Sequence, residues 1–138
     1  MDLEVEPIEG LPPDMRLGRR ELDLQHAGMF DRLRSLEEHG TLDEIRALVW
    51  DLMRYTREHF LAEETFMAEI GYPRLADHRE LHDHLLKELV RIASRNLGVP
   101  DARLDLQVFV RKWLSDHIQS ADRDIVDFQG ANAAGPSV

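Results

Sequence analysis

Between residues 59 and 82 the chain reads HFLAEETFMAEIGYPRLADHRELH. His59 and Glu63 stand four apart, Gly71-Tyr72-Pro73 interrupts, and His78 and His82 again stand four apart. Residues four apart on an α-helix share a face, one turn above the other. The stretch therefore predicts two consecutive helices folded against each other at the Gly-Tyr-Pro turn. Each helix brings a pair of metal-capable side chains to the hinge side.

The flanks extend the same pattern. From about residue 20, Leu22, His26, Met29, Phe30, Leu33 and Leu36 recur at intervals of three and four until His39-Gly40, the period of a core-facing helical stripe. Thr41-Leu42-Asp43-Glu44 has the T-x-x-E form of a capping box. It predicts a helix start, followed by the stripe Ile45, Leu48, Val49, Leu52, Thr56, His59, Glu63, Phe66, Met67 and Ile70. Gly71 suits the residue just past that helix. A third stripe runs Leu75, His78, His82, Leu85, Leu89 and Ile92, and a fourth Leu106, Val110, Trp113, His117, Ala121, Ile125 and Phe128.

Short connections make neighbouring helices antiparallel. The expected fold is all-α, an up-down-up-down four-helix bundle over residues 19–130. Residues 1–18, with Pro7, Gly10, Pro12 and Pro13, read as an extended arm anchored by Leu11 and Leu17, and residues 131–138 as a loose tail.

Composition narrows the chemistry. The 138 residues include no cysteine, so a bound metal must be held by imidazole and carboxylate. The formal charge of -10, without a Lys/Arg cluster, makes nucleic acid and anionic membranes poor partners. The acidic, proline-broken start is unlike a signal peptide, no run has the length of a membrane span, and the cytoplasm is the expected compartment.

Every predicted helix carries a histidine inside its apolar stripe: His26, His59, His78 with His82, and His117. One inward histidine is ordinarily a hydrogen-bonded core residue. Five on converging helices, with a carboxylate in the same stripe, would leave the core full of unmatched polar groups unless a cation were held there. His39, expected at the end of the first helix, and His84, out of phase with His82, fall outside this set. Glu58 and Glu64 are also out of phase, so they are expected near the ligands or in solvent. Asp23, one turn before His26, is a candidate acceptor for a ligand imidazole or, equally, a solvated surface carboxylate.

These residues resemble the hemerythrin family, four-helix non-haem di-iron oxygen carriers, and its single-domain bacterial members in particular. The resemblance covers about residues 16–125. It rests on Asp23-Leu24-Gln25-His26, His59-Phe60-Leu61-Ala62-Glu63-Glu64, Tyr72-Pro73, His78-x-x-x-His82, and Trp113-Leu114-Ser115-Asp116-His117-Ile118 with Asp122. It implies two iron ions, one held by His78, His82 and His117, the other by His26 and His59. Glu63, Asp122 and an oxo or hydroxo group would bridge them, and dioxygen would bind at the two-histidine iron. The corresponding ligand pocket would be Phe60, Trp113, Leu114 and Ile118, with Met29 and Phe30 as additions. Two positions depart from the family pattern. Ile125 stands where a tyrosine often follows the bridging aspartate, and the arm lacks a tryptophan.

One feature of the fourth stripe conflicts with a regular helix. At about 100° per residue, Asp122 lies roughly 140° round the axis from His117, and Ala121 is the residue in phase. If both serve one centre, the helix must be distorted between 117 and 122, as at a π-bulge.

The donor balance is five histidines to two carboxylates, without the Glu-x-x-His motifs of ferritin-like sites. Weaker anionic donation favours reversible oxygen binding over oxygen activation, and the expected function is storage, delivery or scavenging of dioxygen by a non-enzyme. The alternatives are a di-iron enzyme acting on nitric oxide, peroxide or ferrous iron, and a sensor that signals to a separate partner.

Overall fold

In a computed structural model, residues 8–38 and 40–133 are described. The readings for Pro7, His39 and the last five residues fall outside them. The described residues are helical and contain no strand. A short 3₁₀ turn, Pro13–Met15, precedes α1 (Arg20–Glu38), α2 (Leu42–Glu69), α3 (Leu75–Ala93) and α4 (Pro100–Asp116); a π-helical segment, His117–Asp122, then continues into α5 (Arg123–Ala133). With α4, the π segment and α5 forming one rod, the molecule is a four-helix bundle.

The helix ends follow local chemistry. The Thr41 hydroxyl accepts the Glu44 N–H at 3.2 Å, and the Glu44 carboxylate accepts the Thr41 N–H at 3.2 Å. The reciprocal capping box is thus complete. At the far end of α2, Gly71 takes φ +69°, a left-handed conformation that costs glycine little. The chain then turns so that the Tyr72 N–H reaches the Met67 carbonyl at 2.9 Å. Pro100 opens α4, where its missing N–H costs nothing.

Contacts along α1 with α2, and along α1 with the fourth rod, run in opposite senses, as antiparallel neighbours require. Along α1 and α2, Arg32 meets Asp51 and Gln25 meets His59. Arg79 and His82 of α3 meet Glu64 of α2. Arg95, just past α3, meets Asp105, near the start of α4. The fourth rod closes on α1, with Arg111 on Glu37 and Arg19 on Gln129.

The core between the rods comprises a large apolar cluster, in which Leu33, Ile45, Leu89, Leu106 and Val110 are fully buried, and a smaller one of Met67, Tyr72 and Ile125. The arm adds Leu11, Met15 and Leu17 to the large cluster. Asp23 explains how the arm is held: its carboxylate accepts the N–H groups of Leu17 at 2.9 Å and Gly18 at 3.2 Å. Asp23 is thus buried and committed to backbone, neither serving an imidazole nor lying in solvent.

Candidate metal centre

The five inward histidines and two carboxylates meet at one level of the bundle, all with 5 % exposure or less. They form two overlapping sets: Glu63, His78, His82, His117 and Asp122, and His26, His59, Glu63 and Asp122. Within each set the potential donor atoms lie within 4.8 Å of one another.

The carboxylates divide their oxygens between the two sets. Glu63 Oε1 lies 2.9 Å from His78 Nε2 and 3.0 Å from His82 Nε2, while Oε2 lies 3.5 Å from His59 Nε2. Asp122 Oδ1 lies 3.1 Å from His117 Nε2 and 3.3 Å from His78 Nε2, and Oδ2 lies 3.0 Å from His26 Nε2. Each carboxylate therefore presents one oxygen to the three-histidine side and the other to the two-histidine side.

Asp122 reaches this position through the π segment. The Arg123 N–H bonds to the Ile118 carbonyl five residues back, the π pattern. Its wider turn carries Asp122 inward while Ala121 is only half-buried. The distortion expected from the phase conflict is present, and it spans the same six residues.

The tautomers can be argued from partners. His82 Nδ1 lies 2.9 Å from Glu64 Oε2, and His59 Nδ1 lies 2.6 Å from Gln25 Oε1. Both oxygens only accept, so both Nδ1 atoms carry hydrogen. In a neutral imidazole the Nε2 then holds a bare lone pair. For His82 that lone pair faces a carboxylate oxygen at 3.0 Å and His117 Nε2 at 3.3 Å. Such an arrangement requires a positive charge between the atoms. Consistently, His26 Nε2, His59 Nε2, Glu63 Oε2 and both Asp122 oxygens lack a hydrogen-bond partner despite complete burial. These atoms all belong to the two overlapping sets, and the donor set suits a divalent metal.

Without metal, protons must supply the positive charge. Burial pushes His59 down from 6.5 to about 4, more than Glu63 and Asp122 raise it. Burial also opposes charge on His117, yet Asp122 and Glu63 prevail and hold it at about 10. Burial and Asp122 act to raise Glu63, but hydrogen bonds from His117, His78 and His82 draw it to about 2. Asp122 is likewise held well below the usual carboxylate range: its burial is outweighed by His117 first, then by His26 and His78.

The surroundings are apolar. The Phe60 ring stacks on His82 with centroids 3.7 Å apart and lies 5.9 Å from Trp113 and 5.8 Å from His117. Leu114, Ile118, Met29 and Phe30 are buried in the same apolar cluster as Phe60 and Trp113. His84 and Glu58 are exposed, away from the cluster, whereas Glu64 approaches His82. Ile125 is fully buried and packs with Met67 and Tyr72, and the Tyr72 hydroxyl donates to Asp124 at 2.6 Å.

Gln25 is the residue that sequence reasoning missed. It stands one step off the core face, and its partner lies 34 positions away on another helix, beyond intrahelical spacing rules. The signal was its place beside His26, the same relation Glu64 has to Glu63.

Comparison with known proteins agrees with this architecture. Residues 17–128 match the profile of the Hemerythrin HHE cation binding domain. The chain is 28% identical over 117 residues to a bacteriohemerythrin of Stenotrophomonas maltophilia, covering 83% of this chain and 76% of the relative. It is 28% identical over 126 residues to one of Clostridium acetobutylicum, covering 83% and 95%. A third, from Methylococcus capsulatus, is 32% identical over 105 residues, covering 73% and 80%. With a buried His/Glu/Asp cluster suited to a di-iron centre at the middle of its helical bundle, the chain belongs to the hemerythrin family.

Proposed function

We propose that this chain binds dioxygen reversibly at a di-iron centre, serving oxygen storage, delivery or scavenging in the cytoplasm. The observation that carries the reading is the split of Glu63 and Asp122 across two histidine sets, three on one side and two on the other. His78, His82 and His117 would hold one iron, and His26 and His59 the second. Glu63 and Asp122 would span the pair together with a solvent-derived oxo or hydroxo group. The iron pair would supply the two electrons that dioxygen takes up on binding and returns on release.

The protein's own residues account for selectivity and reversibility. The two-histidine side has one donor fewer, which leaves room for a small ligand. Phe60, whose ring lies between His59 and His82, would with Trp113, Leu114 and Ile118 line the ligand pocket and keep anything bulky out of it. Gln25 and Glu64 hold His59 and His82 in the tautomer that offers Nε2. Glu64, at the outer end of the His82 contact, lies outside the cluster, and its carboxylate is engaged by His82 at 2.9 Å and by Arg79 at 3.3 Å. It is thus poorly placed to deliver protons, which favours binding over turnover.

The test is the visible spectrum of iron-loaded protein, reduced without air, exposed to oxygen and returned to argon. An absorption band that appears with oxygen and bleaches under argon through repeated cycles is the expected result. A single irreversible oxidation would refute the carrier reading and favour an enzyme or a sensor.

A further inference from the structure

Helical serine and threonine hydroxyls commonly bond the carbonyl four residues back. Thr65 does so to Leu61 at 3.0 Å, Ser94 to Val90 at 2.7 Å and Ser120 to Asp116 at 2.6 Å. Thr56 does not: it is completely buried, and its Oγ1 has no partner. The Trp113 indole Nε1 is unpartnered as well, in a side chain of 6 % exposure. Among the described residues, every other buried side-chain polar atom without a partner belongs to the seven-residue cluster. Unsatisfied buried donors are rare and costly, so two that accompany the cluster call for a common explanation.

Their positions supply one. Thr56 stands one turn before His59 and Phe60 and two turns before Glu63, in the same stripe. Trp113 stands one turn before His117, with its ring 6.2 Å from His117 and 5.9 Å from Phe60. Because α2 and the α4 rod each run antiparallel to α1, both residues lie at the same end of the cluster, flanking Phe60. The wall there is otherwise apolar.

We infer that the Thr56 hydroxyl and the Trp113 indole N–H are hydrogen-bond donors to a small, electron-rich ligand held against this end of the cluster, a diatomic or a linear anion, or to the water that replaces it. The inference rests on the proposed di-iron reading and adds specificity: a purely apolar wall would not distinguish a ligand that gains negative charge from one that stays neutral. Two donors would slow escape of the former.

The experiment uses azide as the probe, bound to the oxidised, iron-loaded full chain, with iron content measured for each variant. Thr56→Val keeps the shape and removes the hydroxyl. It is expected to weaken azide binding by about 5- to 20-fold, the range of one or two net hydrogen bonds. It should also shift the infrared antisymmetric stretch of bound azide. Trp113→Phe should move both readouts in the same direction, whereas Thr65→Val, which loses only the bond to Leu61, should move neither. Unchanged azide affinity and an unchanged stretch in Thr56→Val, with a raised urea midpoint of the metal-free protein, would show the hydroxyl to be a mere liability and overturn the assignment. If iron-loaded wild-type protein takes up no azide, the di-iron reading fails first, and the assignment with it.

Discussion

Glu64 offers the sharpest test of how the protein tunes a centre it does not touch directly. Its Oε2 accepts the His82 Nδ1–H at 2.9 Å, which orients the ring and raises the basicity of Nε2 on the far side. A hydrogen bond to an ionised group is worth about 1.5 to 3 kcal/mol. The Glu64 side chain retains 15% exposure, so in Glu64→Ala water can replace part of it. Discounting by half for that replacement leaves about 0.75 to 1.5 kcal/mol, or roughly a 4- to 12-fold faster loss of iron. Glu64→Gln keeps an acceptor without the charge and should fall between wild type and alanine. The assay is stopped-flow release of ferrous iron into a chelator at neutral pH, with helicity followed in parallel. Release from both variants at the wild-type rate would show that the contact is incidental and that Glu64 belongs to the surface pair with Arg79.

The metal-free protein should have a stability maximum bracketed by its histidines. His59 is depressed to about 4, so its contribution is intact above 6.5 and lost as pH falls from 6.5 to 4; His117 is raised to about 10, so its contribution is intact below 6.5 and lost as pH rises to 10. Urea midpoints measured across that range should decline on both sides, the acid side by on the order of 3 kcal/mol for His59, and a flat acid limb would contradict the assignment. Gly28→Ala should lower the melting temperature despite the better helix propensity of alanine. Its Cβ would meet the Tyr55 hydroxyl, which is bonded to the Gln25 carbonyl at 3.0 Å with the Arg32 guanidinium stacked 3.8 Å above the ring, and an unchanged melting temperature would mean the Tyr55 contact yields freely. Thr41→Ala should cost about 1 kcal/mol by loss of the cap, read from denaturant midpoints, while Thr41→Asp should restore most of it.

Much of this architecture was legible because the features concerned are local. The α2 capping box needs only residues 41–44, and the helix break needs only Gly71 with Tyr72-Pro73. The convergence of His26, His59, His78, His82 and His117 follows from their sharing stripes with leucines, since burying each stripe brings the histidines inward with it. The π segment was legible in a different way, as a conflict between helical phase at Asp122 and the chemistry asked of it. What could not be read were partnerships set by the rotation of one helix against another. Asp23 has the spacing of a residue that could serve His26, yet its carboxylate turns back to Leu17 and Gly18. Gln25 has no spacing relation to His59 at all.

The π segment also constrains how this chain can tolerate changes in length. Five-residue hydrogen bonding over His117–Asp122 is the structural equivalent of one residue inserted into an α-helix, so everything after it is rotated by about a quarter-turn or more relative to an uninterrupted rod. Ile125, fully buried against Met67 and Tyr72, is set in the later frame, and Trp113 and Leu114 in the earlier one. Deleting Ala121 would let the segment close into a regular α-helix with both groups still inward, whereas deleting a residue elsewhere in the rod while the π segment is kept would turn one group outward by about a quarter-turn or more. Substitutions can drift elsewhere in the fourth rod, but its residue count between Trp113 and Ile125 is tied to the π segment, because the cluster holds one end inward and the Met67–Tyr72 contact the other.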